Sequence, residues 1–291
     1  MKPMTATWPR RRAIARRSLT QGAAYLVVGA FVLFAVFPVY WMISTSFKSR
    51  WDAFRLPPTW LFQPTLEHYV SIISGQGWIS APMPQLLANS VIVAGSASLL
   101  ALLAGSLSAY GLSRFPTGYG KHLAMWILST RMFPPVAVAI PVFLMMSSLD
   151  LIDTYWALIL PYAAFNISFV VWMMRSFFDQ IPIELEQAAM IDGCSRLSAF
   201  ARVVLPLTLP GLMATAVFVL IFSWNEFLFA LILTRTEAKT APVAAADFVT
   251  LYGIQWGQLT AHATLISAPI IILGLLFQRY IVKGLTLGAV Q

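Results

Sequence analysis

The chain has 291 residues, of which 59% are hydrophobic and only 10% charged, against roughly 25% charged in an ordinary soluble domain. So few charges cannot clothe a water-soluble globule, and the apolar content excludes a disordered chain. The formal charge of +8 is a local excess, because six of the 19 basic residues fall among the first 17, and a folded basic face for nucleic acid is therefore not expected.

Those six, Lys2, Arg10, Arg11, Arg12, Arg16 and Arg17, form a tail over residues 1–18 that contains no acid. It suits an arm held at a negative inner leaflet. The apolar run behind it, 23–47, is too long for the core of a cleaved signal and reads as a first span. Further apolar stretches follow at 87–112, 123–148, 154–177, 210–235 and 262–284, each long enough to cross a bilayer. The expected fold class is an all-α integral membrane protein of six transmembrane helices, with residues 19–291 as one membrane domain. With the tail placed in the cytoplasm, inner segments hold 13 Lys and Arg residues and outer segments hold five: Lys48, Arg50, Arg55, Arg235 and Lys239. That asymmetry puts both termini in the cytoplasm.

Two connections fall outside, a Pro- and aromatic-rich loop at 48–86 and an Ala-rich one at 236–261. The cytoplasmic segment 178–209 carries more information. Pro182 suits a helix start, Glu184 and Glu186 then lie near its positive end, and Leu185, Ala188 and Ala189 make a narrow small-residue face. Gly193 is placed to end that helix in a left-handed turn. Ser195 caps a second helix whose Leu197, Phe200, Ala201 and Val204 share one stripe, and Pro206 and Pro210 stop it before the fifth span. A helix lying on anionic lipid would carry Lys and Arg on its polar face. Residues 178–193 carry instead Asp179, Glu184, Glu186 and Asp192, so a docking knob for a protein groove is expected.

Arg131 and Glu226 are ionisable residues inside spans, where such groups face a bundle interior or a water-filled cavity. With unbroken helices they lie about 12 Å and about 24 Å from the inner ends of their spans, so direct pairing is expected only if a helix is broken. With Trp224 and Asn225 they fit either a path for a hydroxyl-rich solute or an internal polar cluster. Pro134, Pro135, Pro141 and Pro161 free backbone carbonyls within spans, which cavities or packing kinks tolerate. Cys194 is the only cysteine, and His68, His122 and His262 are scattered, so no metal site is expected. Gly118 to Lys121 lacks the spacing of a phosphate loop. Asn166-Ile167-Ser168 matches a glycosylation pattern inside a span and is set aside.

The stretch Glu184-Leu185-Glu186-Gln187-Ala188-Ala189-Met190-Ile191-Asp192-Gly193, followed by Val204-Leu205-Pro206-Leu207, resembles the EAA loop of ABC-importer permeases. Ala188, Ala189, Gly193 and Pro206 match the pattern and Asp192 fits its sugar-importer variant, whereas Gln187 stands where the signature Glu belongs. The sugar-permease, maltose-type branch is resembled further by Phe37 to Lys48, Asn89-Ser90, Ala109 to Phe115, Trp172 to Phe178, Trp224 to Phe229 and Gln278 to Val290. The resemblance implies the type I importer permease fold in a bacterial cytoplasmic membrane, and transport of a sugar, oligosaccharide or related polyol. It implies partners: a second similar permease, two cytoplasmic ATPases that use ATP and Mg, and an outer sugar-binding protein. This chain is then not itself an enzyme and binds no cofactor. Glu184, Glu186, Gln187, Ala188, Ala189, Asp192, Gly193 and Pro206 are the expected ATPase-coupling residues. The rival reading is a stand-alone secondary carrier, but such carriers usually show internal repeats and none is evident.

Overall fold

The computed structural model describes residues 8–115 and 118–287. Lys2 of the basic tail and Gly288, Ala289 and Val290 of the C-terminal match lie outside the described residues.

Helix α1 (Trp8–Ser46) already contains the remaining tail arginines, so the arm expected over 1–18 is helical from Trp8 and continuous with the first span. The run from Arg10 to Gln21 has no Gly or Pro and is rich in good helix formers, which explains the continuity. Two short helices follow, α2 (Arg50–Phe54), capped by Ser49 through the Asp52 N–H, and α3 (Glu67–Ser74), closed by Gly75 at φ +73°. Helix α4 (Met83–Arg114) is a single long span.

The third expected span is not one helix. It is α5 (Gly120–Thr130) and α6 (Pro135–Ser148), bent by 85° where they meet. Pro134 and Pro135 cause the break, because neither supplies an N–H and each disfavours helical backbone in the residue before it. Helix α7 (Tyr155–Phe178) runs through Pro161. The loop behind it forms α8 (Ile183–Ile191), α9 (Arg196–Ala199), a π-helical turn (Phe200–Val204) and α10 (Leu205–Leu207). Next comes α11 (Leu209–Trp224), bent by 80° from the segment before it. The fifth expected span also breaks, ending as α11 and resuming as α12 (Leu228–Leu233). A cap made of α13 (Ala241–Ala244), a 3₁₀ turn and a two-stranded antiparallel hairpin pairing Val249 with Ile254 leads into α14 (Trp256–Leu287). Among the described residues four helices are long and apolar enough to cross a membrane, or up to six spans if each bent pair counts as one.

Helix α4 packs along α7, α11 lies against both, and α14 covers α11 and α1. The α4–α7 crossing is close because Ala94, Ala97, Ala101, Gly105 and Ala109 form its buried stripe on α4. A Cβ on Gly105 would stand 2.6 Å from the Val170 Cβ. Small residues let helix backbones approach in this way where lipid offers no hydrophobic drive. At one end of the bundle, Asn89 donates to the Glu237 and Lys239 carbonyls (2.8 and 2.9 Å) and Ser90 accepts the Ala241 N–H (2.8 Å), fastening the cap to α4.

Asp153 holds the same end. It sits at φ +63° in the turn before α7 and accepts the N–H groups of Arg235 (2.9 Å), Thr236 (3.1 Å), Glu237 (3.2 Å) and Ala238 (3.2 Å). Burial alone would raise its pKa, but these four donors together hold it below the usual carboxylate range,. The folded value being the lower one, its contribution to stability is complete above the unfolded pKa of about 3.9. It is lost as pH falls through the folded value. Thermal unfolding followed from about pH 6 to pH 3 should show a steeper acid-side fall for the wild type than for Asp153→Asn. Equal slopes would mean that the carboxylate does not hold this corner.

Candidate translocation cavity and coupling loop

The two broken spans meet. Arg131 closes α5, and Asn225 and Glu226 occupy the gap between α11 and α12, so all three line one cavity of about 330 Å³. Along continuous helices Arg131 and Glu226 would stand at different depths; the breaks bring both to one cavity. No ion pair joins them among the described residues. The Arg131 guanidinium lies 4.9 Å from the ring centres of both Phe169 and Phe222, a cation–π arrangement that holds a charge without an acid partner. The Glu226 carboxylate accepts the Phe229 N–H (3.1 Å to each oxygen) and the Ala230 N–H (3.3 Å). It therefore satisfies donors left free at the start of α12 and sits at that helix's positive end.

Helix α7 supplies the wall that sequence reasoning missed. Tyr162, Phe165 and Asn166 line the cavity; Asn166 donates to Ser223 at 3.0 Å, and the Tyr162 side chain is buried beside the Glu226 carboxylate. An Asn inside an apolar span was the available signal. Trp224 does not belong to this wall. Its ring is buried and its Nε1–H donates to the Ile266 carbonyl at 3.3 Å, so it packs α11 on α14. The helical turn carries its side chain away from those of Ser223 and Asn225. The arrangement offers a polar floor of amide, hydroxyl, cation and carboxylate under aromatic walls, a chemistry suited to a hydroxylated solute.

At the opposite end, α8 leaves the bundle. Pro182 is its N-cap and Glu184 and Glu186 lie in its first turn. Gly193 has φ +91°, and the N–H groups of Gly193 and Cys194 bond back to the carbonyls of Met190 (3.1 Å) and Ala189 (3.0 Å), the pattern of a Schellman cap. The Ser195 hydroxyl then caps α9 through the Ser198 N–H. Ile183, Glu184, Leu185, Gln187, Ala188, Ile191, Asp192 and Gly193 are exposed and Ala189 is half-buried. Pro206 sits in α10, at the approach to the 80° bend.

Two expectations fail here. Glu186 does not face outward: it is buried, paired with Arg114 and bonded by the Tyr110 hydroxyl at 2.8 Å. One residue along, Gln187 points out. The stripe of α9 is also split, with Phe200 and Val204 buried while Leu197 and Ala201 are exposed, because the π turn adds a residue and shifts the register.

Residues 98–287 match the family described as binding-protein-dependent transport system inner membrane component. The chain is 41% identical to a probable ABC transporter permease protein, y4oR, of Sinorhizobium fredii, over 88% of this chain and 90% of that one. It is 37% identical to the trehalose/maltose transport system permease protein MalG of Thermococcus litoralis, over 91% and 96%. Its fold aligns with a TM-score of 0.72 and 23% identity to a chain of a bacterial ABC transporter involved in import of the acidic polysaccharide alginate, covering 96% of this chain and 99% of that one.

Proposed function

This chain belongs to the family of binding-protein-dependent transport system inner membrane components, and we propose that it is the permease subunit of an ABC importer for a sugar, oligosaccharide or related polyol. In this reading it lies in a bacterial inner membrane with both termini and residues 178–209 in the cytoplasm. It pairs with a second permease, two ATPase subunits and an outer binding protein that docks on residues 48–86 and 236–261. Hydrolysis of ATP and Mg chemistry belong to the ATPases; this chain makes and breaks no covalent bond.

The observation that carries the reading is the exposed corner of α8 and α9. Glu184, Gln187, Ala188 and Asp192 stand free of the bundle around a left-handed glycine turn, a compact projection able to sit in a groove. The cavity at the broken spans supplies the solute's path. The carbohydrate class is supported by relatives such as the trehalose/maltose permease and by the mixed polar and aromatic lining.

Purification decides between this and a lone carrier. The tagged chain, expressed with its genomic neighbours, should retain ATPase subunits at stoichiometric yield, and ATP hydrolysis should rise with solute-loaded binding protein. A chain that transports sugar in vesicles without an ATPase would overturn the assignment.

A further inference from the structure

Resting on that reading, we propose that Glu186 is a positioning residue that ties α8 to the end of α4, so that displacement of the knob is delivered to the second span as one rigid body. The attachment of α8 is unusual. Of its nine residues only Glu186 is buried, while Ala189 and Met190 are half-buried, so the helix has no fully buried apolar side chain to fix it in place. Glu186 takes Arg114 on one oxygen and the Tyr110 hydroxyl on the other. Arg114 reaches on to the Ile181 carbonyl at 2.9 Å, just ahead of α8. Both charged side chains are well enclosed, at 7% and 5% exposure. Such a pair is poor evidence for net stability, because desolvation offsets much of the attraction, but it fixes register and direction.

The far side of the tether is built to carry a push. Tyr110 is wedged between Phe200 and Phe178, with ring centres 4.5 and 6.0 Å away, which joins α4 to α7 and to the π turn. From there the Gly105–Val170 approach locks α4 to α7, and α7 carries Asn166 and Tyr162 to the cavity. An apolar contact under α8 could slide under load. A buried ion pair resists sliding, because separation leaves a charge without a partner. Gln187, exposed beside it, remains free for the ATPase.

The test uses the complete reconstituted transporter and reads the ratio of ATP hydrolysis with and without loaded binding protein. Glu186→Gln, Arg114→Gln and Tyr110→Phe should each lower that ratio, the first two by about fivefold or more, the usual size of coupling between sites, in complexes that still hold their ATPases. The double variant Arg114→Gln/Glu186→Gln leaves no unpaired charge but also no ion-pair tether, so its ratio should still fall below the wild type, though no further than in either single change. A purely structural role would lower the yield of complex and leave the ratio of the recovered material unchanged, and that result overturns the inference. If the charged variants cannot be recovered, wild-type stimulation in Tyr110→Phe and in the double variant has the same force. Absence of binding-protein stimulation in the wild type would instead remove the importer reading beneath it.

Discussion

Gly193→Val is expected to abolish stimulation of ATP hydrolysis by loaded binding protein while leaving the chain inserted. At φ +91° a β-branched residue is forced into backbone that costs about 1–2 kcal/mol for L side chains other than Asn and Asp. The cost is conformational and not steric, since a Cβ at Gly193 meets nothing within 4 Å. Gly193→Asn should accordingly stay close to wild type, because Asn tolerates the left-handed region, and this contrast separates turn geometry from bulk. Ala189→Trp should act by bulk alone and match the valine variant. Gln187→Glu restores the family residue on an exposed position and should be neutral or mildly beneficial. Full stimulation in both Gly193→Val and Ala189→Trp would show that this corner does not transmit.

The second large effect is expected at Glu226. Glu226→Ala removes the acceptor for the Phe229 and Ala230 N–H groups, and each buried donor left without a partner costs about 1–3 kcal/mol. It also strips the cavity of its carboxylate. Uptake in proteoliposomes should fall by about tenfold or more, equivalent to about 1.4 kcal/mol, with the ATPases still bound. Glu226→Gln keeps an acceptor oxygen and should fall between the two. Unchanged uptake in Glu226→Ala would place the solute's path elsewhere.

Hydropathy picks out apolar runs because burial in lipid demands a fixed length, and it is blind to where a run is cut. At 134–135 two prolines signal interruption, but proline is also compatible with a gentle kink, so the 85° bend could not be read from them. The cut at 225–227 has neither Pro nor Gly. It is made by side chains competing for backbone: the Asn225 amide donates to the Ile221 carbonyl at 2.9 Å and Glu226 captures the N–H groups ahead, a competition that window averages erase. The EAA-like loop was legible down to its glycine, since a left-handed turn has few solutions. The inward turn of Glu186 was not, because its partner Arg114 lies 72 residues earlier and nothing local links them.

Helix α1 leaves one more consequence. Of residues 21–46 only Thr45 and Ser46, at the C-terminal end of the helix, are buried within the chain, and the principal contact of α1 is α14. Helix α1 therefore docks on a helix that begins at Trp256, some 210 residues after Ser46. At about 5–20 residues per second it spends on the order of 10–40 s before that surface is made, touching its own chain only near its C-terminal end, where Phe37 and Trp41 meet Trp60 and Ser46 meets Tyr69. It is suited to that wait, since its mean hydropathy of 2.4 is the highest of the four unbroken spans. During synthesis it sits in the membrane before it is part of a bundle, and it meets α14 only once that helix has been made. A ribosome stalled before α14 would release a product whose first helix remains free to the membrane's quality-control proteases.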